Sequence, residues 1–342
     1  MNLEQKALRT GALAIVLAVV LRLISTGLPA KLMEVLVKPE AVAAVLFLET
    51  GRVVRPRPPA ETAPTQPETP EETTVPTQTA TQPEQEAPSK AVFSAGDAAL
   101  VSVNNTCGYS ADPKSLLAKP LTWDLTQEGP AVLIVHTHGT ESYEKTEEYE
   151  ESSRYRTTDT NYNVVSVGAH LKKVLEEGGI GVIHDTTMHD HPSYTGSYSH
   201  SRESIRKYLQ EYPSIRMVLD IHRDSVAGVD GKQKRYTLST KDGTAAQVML
   251  VVGTDANGLS HPDWEENMAL AVKLHAQLEK ENPGLCRDIS FRPQRFNQDL
   301  TDASLLLEMG SAGNTRQEAL LAAQLVGQAI LSLAYGTDPG AV

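Results

Sequence analysis

The sequence is poor in the residues on which several common kinds of protein depend. Only two of its 342 residues are cysteines, Cys107 and Cys286, so a single disulfide bond is the most it can form and a cysteine-rich zinc site is excluded. The formal net charge of −12 argues against nucleic acid as the main partner, and no G-x-S-x-G motif points to a serine hydrolase. Any metal must therefore be bound by histidine, aspartate or glutamate.

The first 30 residues predict an N-terminal membrane anchor or a signal segment. Lys6 and Arg9 precede an uncharged apolar run, residues 10–21, which is shorter than the ~20 residues of a typical membrane-spanning helix. That length favours a signal peptide, whereas the lack of a clear A-x-A cleavage site favours an uncleaved anchor, which we prefer. With either reading, basic residues before the run predict a cytoplasmic N-terminus and export of the remainder.

A spacer separates this segment from the folded part of the chain. Residues 31–55 form a short juxtamembrane segment, and residues 56–90 consist mostly of proline, threonine, glutamate and glutamine. Such a composition predicts a disordered linker, which could reach on the order of 100 Å when extended. A long tether suits an enzyme whose substrate lies away from the membrane, although a purely solubilising linker has the same geometry.

Residues 91–337 predict one α/β domain with a mainly parallel sheet flanked by helices. Apolar runs predict strands, and 3.6-residue periodicity predicts helices, in alternation along the chain. The predicted strands are 131–135, 180–183, 217–221, 247–252 and 305–308, and the predicted helices are 163–177, 201–211, 264–281 and 315–335.

Three of these strands end in residues suited to metal-dependent hydrolysis. One is followed by His136, His138 and Glu141, another leads to His222, and the last ends at Glu308. Sites in α/β sheets form at the carboxyl ends of strands, and a catalytic zinc needs three protein ligands, a water and a nearby carboxylate as general base. These residues therefore predict a zinc-dependent hydrolase.

His136 and His138 allow two interpretations. On an extended strand, residues two apart face the same side, so both histidines could approach one metal ion. Alternatively, one histidine binds the metal and the other orients it from behind, which is the interpretation that we favour for His136.

Several ordered motifs in residues 95–335 resemble the stage II sporulation protein P family. They are HTHGTESY at 136–143, RTTDTNYNVVSVG at 156–168, GIGVIHD at 179–185, HDHPSYTGSYSHS at 189–201, RFNQDL at 295–300 and LLLEMGSAGNT at 305–315. The resemblance implies a cell-wall hydrolase of sporulation with N-acetylmuramoyl-L-alanine amidase activity, and also endopeptidase activity on peptide cross-links. It further implies stage II sporulation proteins D and M as partners, and a role in septal wall thinning and engulfment at the mother-cell membrane.

More distantly, the pattern is similar to the zinc amidases of the N-acetylmuramoyl-L-alanine amidase type 3 family. His138-Gly139 matches the first ligand of that family, Ile221-His222 the third, and Glu308-x-Gly310 the catalytic glutamate. The acidic ligand stays open, since alignment on the helix from Asn163 favours Asp159, whereas sequence proximity to His138 favours Glu141.

The resemblance therefore implies Zn²⁺ held by His138, His222 and one acidic residue, with Glu308 as general base. Four further side chains, with structural roles as the alternative for each, are candidates to hold substrate carboxylates and amides: Arg223, Arg295, Asn297 and Gln298. The expected function is a membrane-anchored, extracytoplasmic peptidoglycan amidase. The alternative is a non-catalytic scaffold that binds cell wall and recruits a partner hydrolase.

Overall fold

The structure is a computed structural model that describes residues 93–335. The segments predicted as an anchor (1–30), a juxtamembrane stretch (31–55) and a linker (56–90) lie outside the described residues and stay predictions. The described residues fall within the domain that the sequence predicts over 91–337.

A seven-stranded sheet forms the centre of the described domain. Its strands are β1 (Val103–Asn105), β2 (Pro130–Val135), β3 (Gly181–His184), β4 (Met217–Asp224), β7 (Val248–Val252), β8 (Ile289–Phe291) and β9 (Ser304–Ser311). The order across the sheet is β1-β8-β7-β9-β4-β2-β3, and every neighbouring pair is parallel except β7 and β9, which are antiparallel. A separate antiparallel hairpin consists of β5 (Thr237–Thr240) and β6 (Gly243–Ala246). The predicted α/β class with a mainly parallel sheet is confirmed.

Five α-helices accompany the strands in the described residues. They are α1 (Pro113–Ala118), α2 (Val164–Glu177), α3 (Ser197–Glu211), α4 (Trp264–Glu281) and α5 (Arg316–Tyr335), and two short 3-10 helices span Ala95–Leu100 and Gln298–Leu300. The sequence predicts α2, α4 and α5 to within one residue, whereas α3 begins four residues before its predicted start. Strands β4 and β9 each run three residues beyond their predicted ends, which carries them through His222 and Glu308.

Helix α2 shows how local sequence sets an element of this fold. The Asn163 side chain accepts a hydrogen bond from the backbone N–H of Val165, which satisfies a donor that the first turn leaves free. The helix buries one apolar stripe, which includes Leu171 and Leu175, and it ends where Gly179 adopts a positive φ of 85°.

Helix α5 is a core helix of the domain. In the part of the chain that the structure describes, it alone is long and apolar enough to cross a membrane, but 67% of its most apolar window is buried inside the domain. Its buried residues, among them Ala322, Val326 and Ile330, belong to the main hydrophobic core. Burial in the domain therefore explains its apolar composition.

The two faces of the sheet are covered unequally. On one face, α2, α4 and α5 pack over a large core that includes Leu219 and Leu307. On the opposite face, a smaller cluster joins Ile205 of α3 to Leu133 and Val218. The main pocket lies beside this cluster, on the part of the same face formed by β4, β9, β7 and β8.

Candidate active site

The site lies at the carboxyl ends of β2, β4 and β9. Strand β2 ends at Val135, and residues 137–140 form a turn in which the backbone N–H of Glu141 donates to the carbonyl of His138 at 3.0 Å. Strand β4 carries His222, which lies directly opposite Glu308 of β9 in the parallel ladder. Short connections and strand register thus bring these four side chains to one edge of the sheet.

His138, Glu141 and His222 form a buried cluster suited to a metal ion. One potential ligand atom from each lies within 4.8 Å of the other two, and among residues 93–335 no other group of histidines, cysteines and carboxylates meets that condition. Nδ1 of His138 is 3.7 Å from Oε1 of Glu141, and Nδ1 of His222 is 3.4 Å from Oε2. Two imidazoles and a carboxylate are the ligand set of one common class of catalytic zinc site.

The Nε2 atoms of His138 and His222, which point away from Glu141, lie beside further polar side chains. Nε2 of His222 lies 3.0 Å from Oδ1 of Asp220, at ion-pair distance but without the alignment of a hydrogen bond, and Nε2 of His138 lies 3.1 Å from Oγ of Ser197. A carboxylate or hydroxyl behind a ligating imidazole fixes its orientation and leaves the other ring nitrogen for the metal. The residues behind the cluster therefore fit zinc as well as the cluster itself does.

Arg223 holds the carboxylate of Glu141 in place. Its backbone N–H donates to Oε2 of Glu141 at 3.2 Å, and its guanidinium donates to Oε1 at 3.4 Å. Burial alone would raise the pKa of Glu141, but the charges of Arg223 and His222 hold that pKa well below its usual range. Glu141 is therefore an anion, as a metal ligand must be.

The surroundings of His138 favour a neutral ring, whereas those of His222 favour a protonated ring. Burial, with the nearby His222 as a second cause, lowers the pKa of His138 to about 4, so this imidazole is neutral. Burial also opposes the charge on His222, but the carboxylates of Asp220 and Glu141 raise its pKa well above the ordinary value. The cluster thus attracts positive charge strongly, which is the electrostatic condition for binding a dication.

Glu308 is a half-buried residue with one fully buried, unused carboxyl oxygen. Its Oε2 has no hydrogen-bond partner among the described residues, although such groups are nearly always paired in proteins. Burial raises the pKa of Glu308 to about 8, and the negative charges of Glu141 and Asp224 add to this effect. An unpaired buried carboxyl beside a potential metal site has the position and the proton affinity of a general base.

A pocket of 280 Å³ opens over these groups. One end holds the metal cluster and Glu308, the middle is apolar, and the other end is polar. Its lining residues are His138, Glu141, Tyr198, His222, Arg223, Asp224, Ser225, Met249, Val251, Ser290, Arg292, Phe296, Leu306 and Glu308.

Asp159, the rival acidic ligand, lies away from this cluster. It is exposed, and its Oδ1 accepts hydrogen bonds from the backbone and side chain of Asn161, both at 2.9 Å. This is a local turn formed by an aspartate and its own following residues. The structure therefore places Glu141, and not Asp159, beside both histidines, because the turn after β2 brings Glu141 back to them.

His136 also lies apart from the cluster, on the opposite face of the sheet. Its Nδ1 is 3.1 Å from the carbonyl oxygen of Ile221, and its Nε2 is 2.7 Å from Nε2 of His184. The two-residue alternation of a strand does not extend to His138, because the strand ends at Val135 and the chain then turns. His136 therefore lies outside the group of residues that could hold a metal ion.

Of the four predicted substrate-binding residues, Arg223 lines the pocket over the cluster, whereas Arg295, Asn297 and Gln298 do not. Gln298 is buried, donates to the carbonyl of Val251 and accepts from the N–H of Gly253. Asn297 donates to the carbonyl of Tyr198, and Arg295 forms an ion pair with Asp299 at 3.1 Å. Arg295 and Asn297 instead line an adjacent groove of 360 Å³, which shares Tyr198 and Phe296 with the main pocket. Both hydrogen bonds of the Gln298 side chain are to the backbone of β7 and the residue after it, so this side chain stabilises the fold.

Sequence reasoning overlooked Asp220 and Ser197. Asp220 precedes His222 by two residues on the same strand, so the strand alternation that places them on one face could have revealed it. Ser197 has no such signal, because only the packing of α3 brings its hydroxyl to His138.

Solved structures that match part of this chain include two N-acetylmuramoyl-L-alanine amidases. The protein from Nostoc punctiforme is 13% identical with a TM-score of 0.34, and the match covers 61% of this chain and 97% of that one. The protein from Clostridium difficile 630 is also 13% identical with a TM-score of 0.34, and the match covers 62% of this chain and 100% of that one.

Comparison of sequences identifies the family. The stage II sporulation protein P of Bacillus subtilis (strain 168) is 31% identical over 250 residues, which are 69% of this chain and 58% of that protein. This chain thus spans less than two thirds of the length of that relative. Residues 49–331 match the family model of stage II sporulation protein P. The chain therefore belongs to the stage II sporulation protein P family.

Proposed function

We propose that this protein is a zinc-dependent peptidoglycan hydrolase of sporulation that cleaves the amide bond between the lactyl group of muramic acid and L-alanine. The observation that carries the proposal is the unpaired, buried Oε2 of Glu308 in the pocket that also contains His138, Glu141 and His222. Membership of a sporulation family supports the biological setting.

The metal-binding part of the proposal assigns a role to each residue of the cluster. His138 and His222 would bind Zn²⁺ through Nδ1, and Glu141 would bind it through its carboxylate. When bound, zinc lowers the pKa of a water molecule and polarises the scissile carbonyl. Asp220 and Ser197 orient the two imidazoles, and Arg223 keeps Glu141 charged and in place.

Glu308 would move the proton that hydrolysis requires. As the water oxygen bonds to the lactyl carbonyl carbon, Oε2 of Glu308 accepts a proton from that water. It then donates this proton to the alanine nitrogen while the C–N bond breaks. One water is consumed, a carboxylate forms on the lactyl group and a free amine forms on alanine. Glu308 is suited to this transfer because its buried Oε2 has no other partner among the described residues and faces the pocket.

The proposal also covers location and partners. The apolar segment near the N-terminus and the proline-rich linker would anchor the protein in the membrane and let the domain reach peptidoglycan outside the cytoplasm. The family resemblance supports action on the septal wall together with stage II sporulation proteins D and M. Endopeptidase cleavage of cross-links is a further activity that the resemblance implies.

Digestion of purified sacculi with the full 342-residue chain, followed by mass spectrometry of the products, tests the activity. With zinc, we expect free stem peptides and glycan without peptides. Chelation of the metal should abolish both products, and readdition of zinc should restore them. Glu308→Gln should reduce turnover by about 10²–10⁴-fold, the usual contribution of a general base.

A matched control separates loss of the base from loss of a surface charge. Glu203 is exposed on α3 and lies outside the pocket, so Glu203→Gln should retain full activity. Loss of cross-linked dimers without free stem peptides would make the protein an endopeptidase instead. Binding to sacculi without any cleavage would overturn the hydrolase proposal and leave the scaffold alternative.

A further inference from the structure

The floor of the pocket is a continuous surface formed by three neighbouring strands. Glu308 of β9 pairs with Met249 of β7, and Val251 of β7 pairs with Leu306 on one side and Ser290 of β8 on the other. Residues two apart on a strand face the same side. Arg292, the residue directly after the end of β8, lines the pocket beyond Ser290.

Arg292 differs from the other charged groups near the pocket because its guanidinium has no partner. Within residues 93–335 it makes no side-chain hydrogen bond or ion pair, and it is exposed. Arg223 is engaged with Glu141, and Asp224 is neutralised by Arg287 at 2.8 Å. Arg292 is thus the positive charge in the pocket that remains available to a ligand.

The surface between Glu308 and Arg292 is apolar. Met249, Val251 and Leu306 form it, with Phe296 also lining the pocket. Extending the strand register by one residue to Arg292, the Cα atoms of Glu308 and Arg292 are roughly 16 Å apart, given ~3.3 Å per residue along a strand and ~4.8 Å between strands. Allowing for the reach of the arginine side chain, the gap corresponds to roughly two to three residues of extended peptide.

We propose that Arg292 determines specificity by binding a free carboxylate of the substrate peptide, two to three residues from the scissile amide. This inference rests on the proposed function and names the part of the stem peptide that the pocket recognises. A planar guanidinium pairs with a carboxylate through two parallel hydrogen bonds, and the apolar floor accommodates the aliphatic part of the intervening residues.

The test compares two muramoyl-peptide substrates that differ in the carboxylates of the second and third peptide residues, free in one and amidated in the other. For the wild-type chain with zinc, amidation should raise KM about tenfold and leave kcat nearly unchanged, because the contact is remote from the reacting bond. Arg292→Gln should raise KM about tenfold for the free-acid substrate and leave the amidated substrate unaffected.

The matched control is Arg206→Gln, which removes one positive charge from an exposed position on α3 outside the pocket. It should behave as the wild type with both substrates. Equal KM values for the two substrates in the wild type, or an equal effect of Arg292→Gln on both, would overturn the proposal. Arg292→Lys should recover only part of the preference, since a lysine cannot form the paired hydrogen bonds.

A binding measurement separates this inference from the proposed reaction. Calorimetry with the isolated stem peptide and the full chain requires no turnover. Binding that weakens about tenfold on amidation or in Arg292→Gln would support the carboxylate contact even if no amide bond were cleaved. Binding without preference, in a chain that does cleave sacculi, would refute the contact and leave the hydrolase intact.

Discussion

The protein contains two pairs of adjacent histidines, and they have opposite properties. The site pair, His138 and His222, lies on the pocket side of the sheet with a carboxylate between the rings. The core pair, His136 and His184, lies on the other side against α2, with Nε2 atoms 2.7 Å apart. Each pair includes a histidine from the segment just after β2, His136 in the core pair and His138 in the site pair.

The difference lies in what surrounds each pair. The carbonyl of Ile221 can only accept, so Nδ1 of His136 must donate to it, and a neutral His136 then accepts at Nε2 from His184. Burial lowers the pKa of His136 to about 3 and that of His184 to about 4, so both rings are neutral. In the core pair, the facing ring nitrogens are hydrogen-bond partners of each other. Beside the site pair, the carboxylates of Glu141 and Asp220 favour a bound cation. The site pair shares the Glu141 carboxylate and opens into the pocket, whereas the facing nitrogens of the core pair contact each other.

Replacing one histidine of each pair with glutamine should give the largest difference between the two pairs, and the difference should appear in zinc binding. His222→Gln removes a ligand, and we expect the zinc content to fall from about one ion per chain to below roughly a tenth, with complete loss of hydrolysis. His136→Gln should keep its zinc. Metal analysis of both purified variants makes the comparison, and zinc loss in His136→Gln alone would reverse the assignment of the two pairs.

A smaller effect should follow from removing the charge behind His222. Asp220→Asn keeps the shape of the side chain but weakens its hold on Nε2, so zinc affinity should fall by about 10–100-fold, as measured by competition with a chelating dye. Ser197→Ala, which removes the neutral partner of His138, should have a weaker effect. Equal affinities in Asp220→Asn and the wild type would show that the carboxylate has no part in metal binding.

The core pair should affect stability and leave zinc binding unchanged. A Cβ at Gly168 of α2 would lie 2.6 Å from His136 and 2.9 Å from His184, so Gly168→Ala must displace buried rings. We expect the free energy of unfolding to fall by about 1–3 kcal/mol, the usual effect of overpacking. Urea denaturation measures it, with Gly96→Ala as the control, since a Cβ there meets no atom closer than 3.6 Å. An unchanged free energy of unfolding would contradict the close packing of the pair.

The sequence predicts the main helices and the buried strands because their apolar periodicity is strong. It does not reveal that β7 runs antiparallel to β9, since a buried strand has the same apolar composition in either direction. Strands β1 and β8 escape prediction because each is three residues long. Pairing with neighbours, which the local sequence does not encode, defines these elements.

The site is predictable to a similar extent. His138, His222 and Glu308 follow from strand ends and family motifs, and the structure brings them together. The choice between Glu141 and Asp159 depends on the turn at 137–140, and the separation of His136 from His138 depends on where β2 stops. Arg292 carries no motif, because its significance comes from its place on the floor of the pocket and from the pairing of the charges around it.

The most direct test of the central claim is to follow the oxygen of the attacking water. Sacculi digested by the full chain with zinc in H₂¹⁸O should yield glycan whose lactyl carboxylate on muramic acid carries one ¹⁸O, while the released peptides begin with an unlabelled free alanine amine. Mass spectrometry of both fragments identifies the bond that was cut. Label in peptide carboxylates alone, with none on the lactyl group, would contradict the assignment of this protein as an amidase.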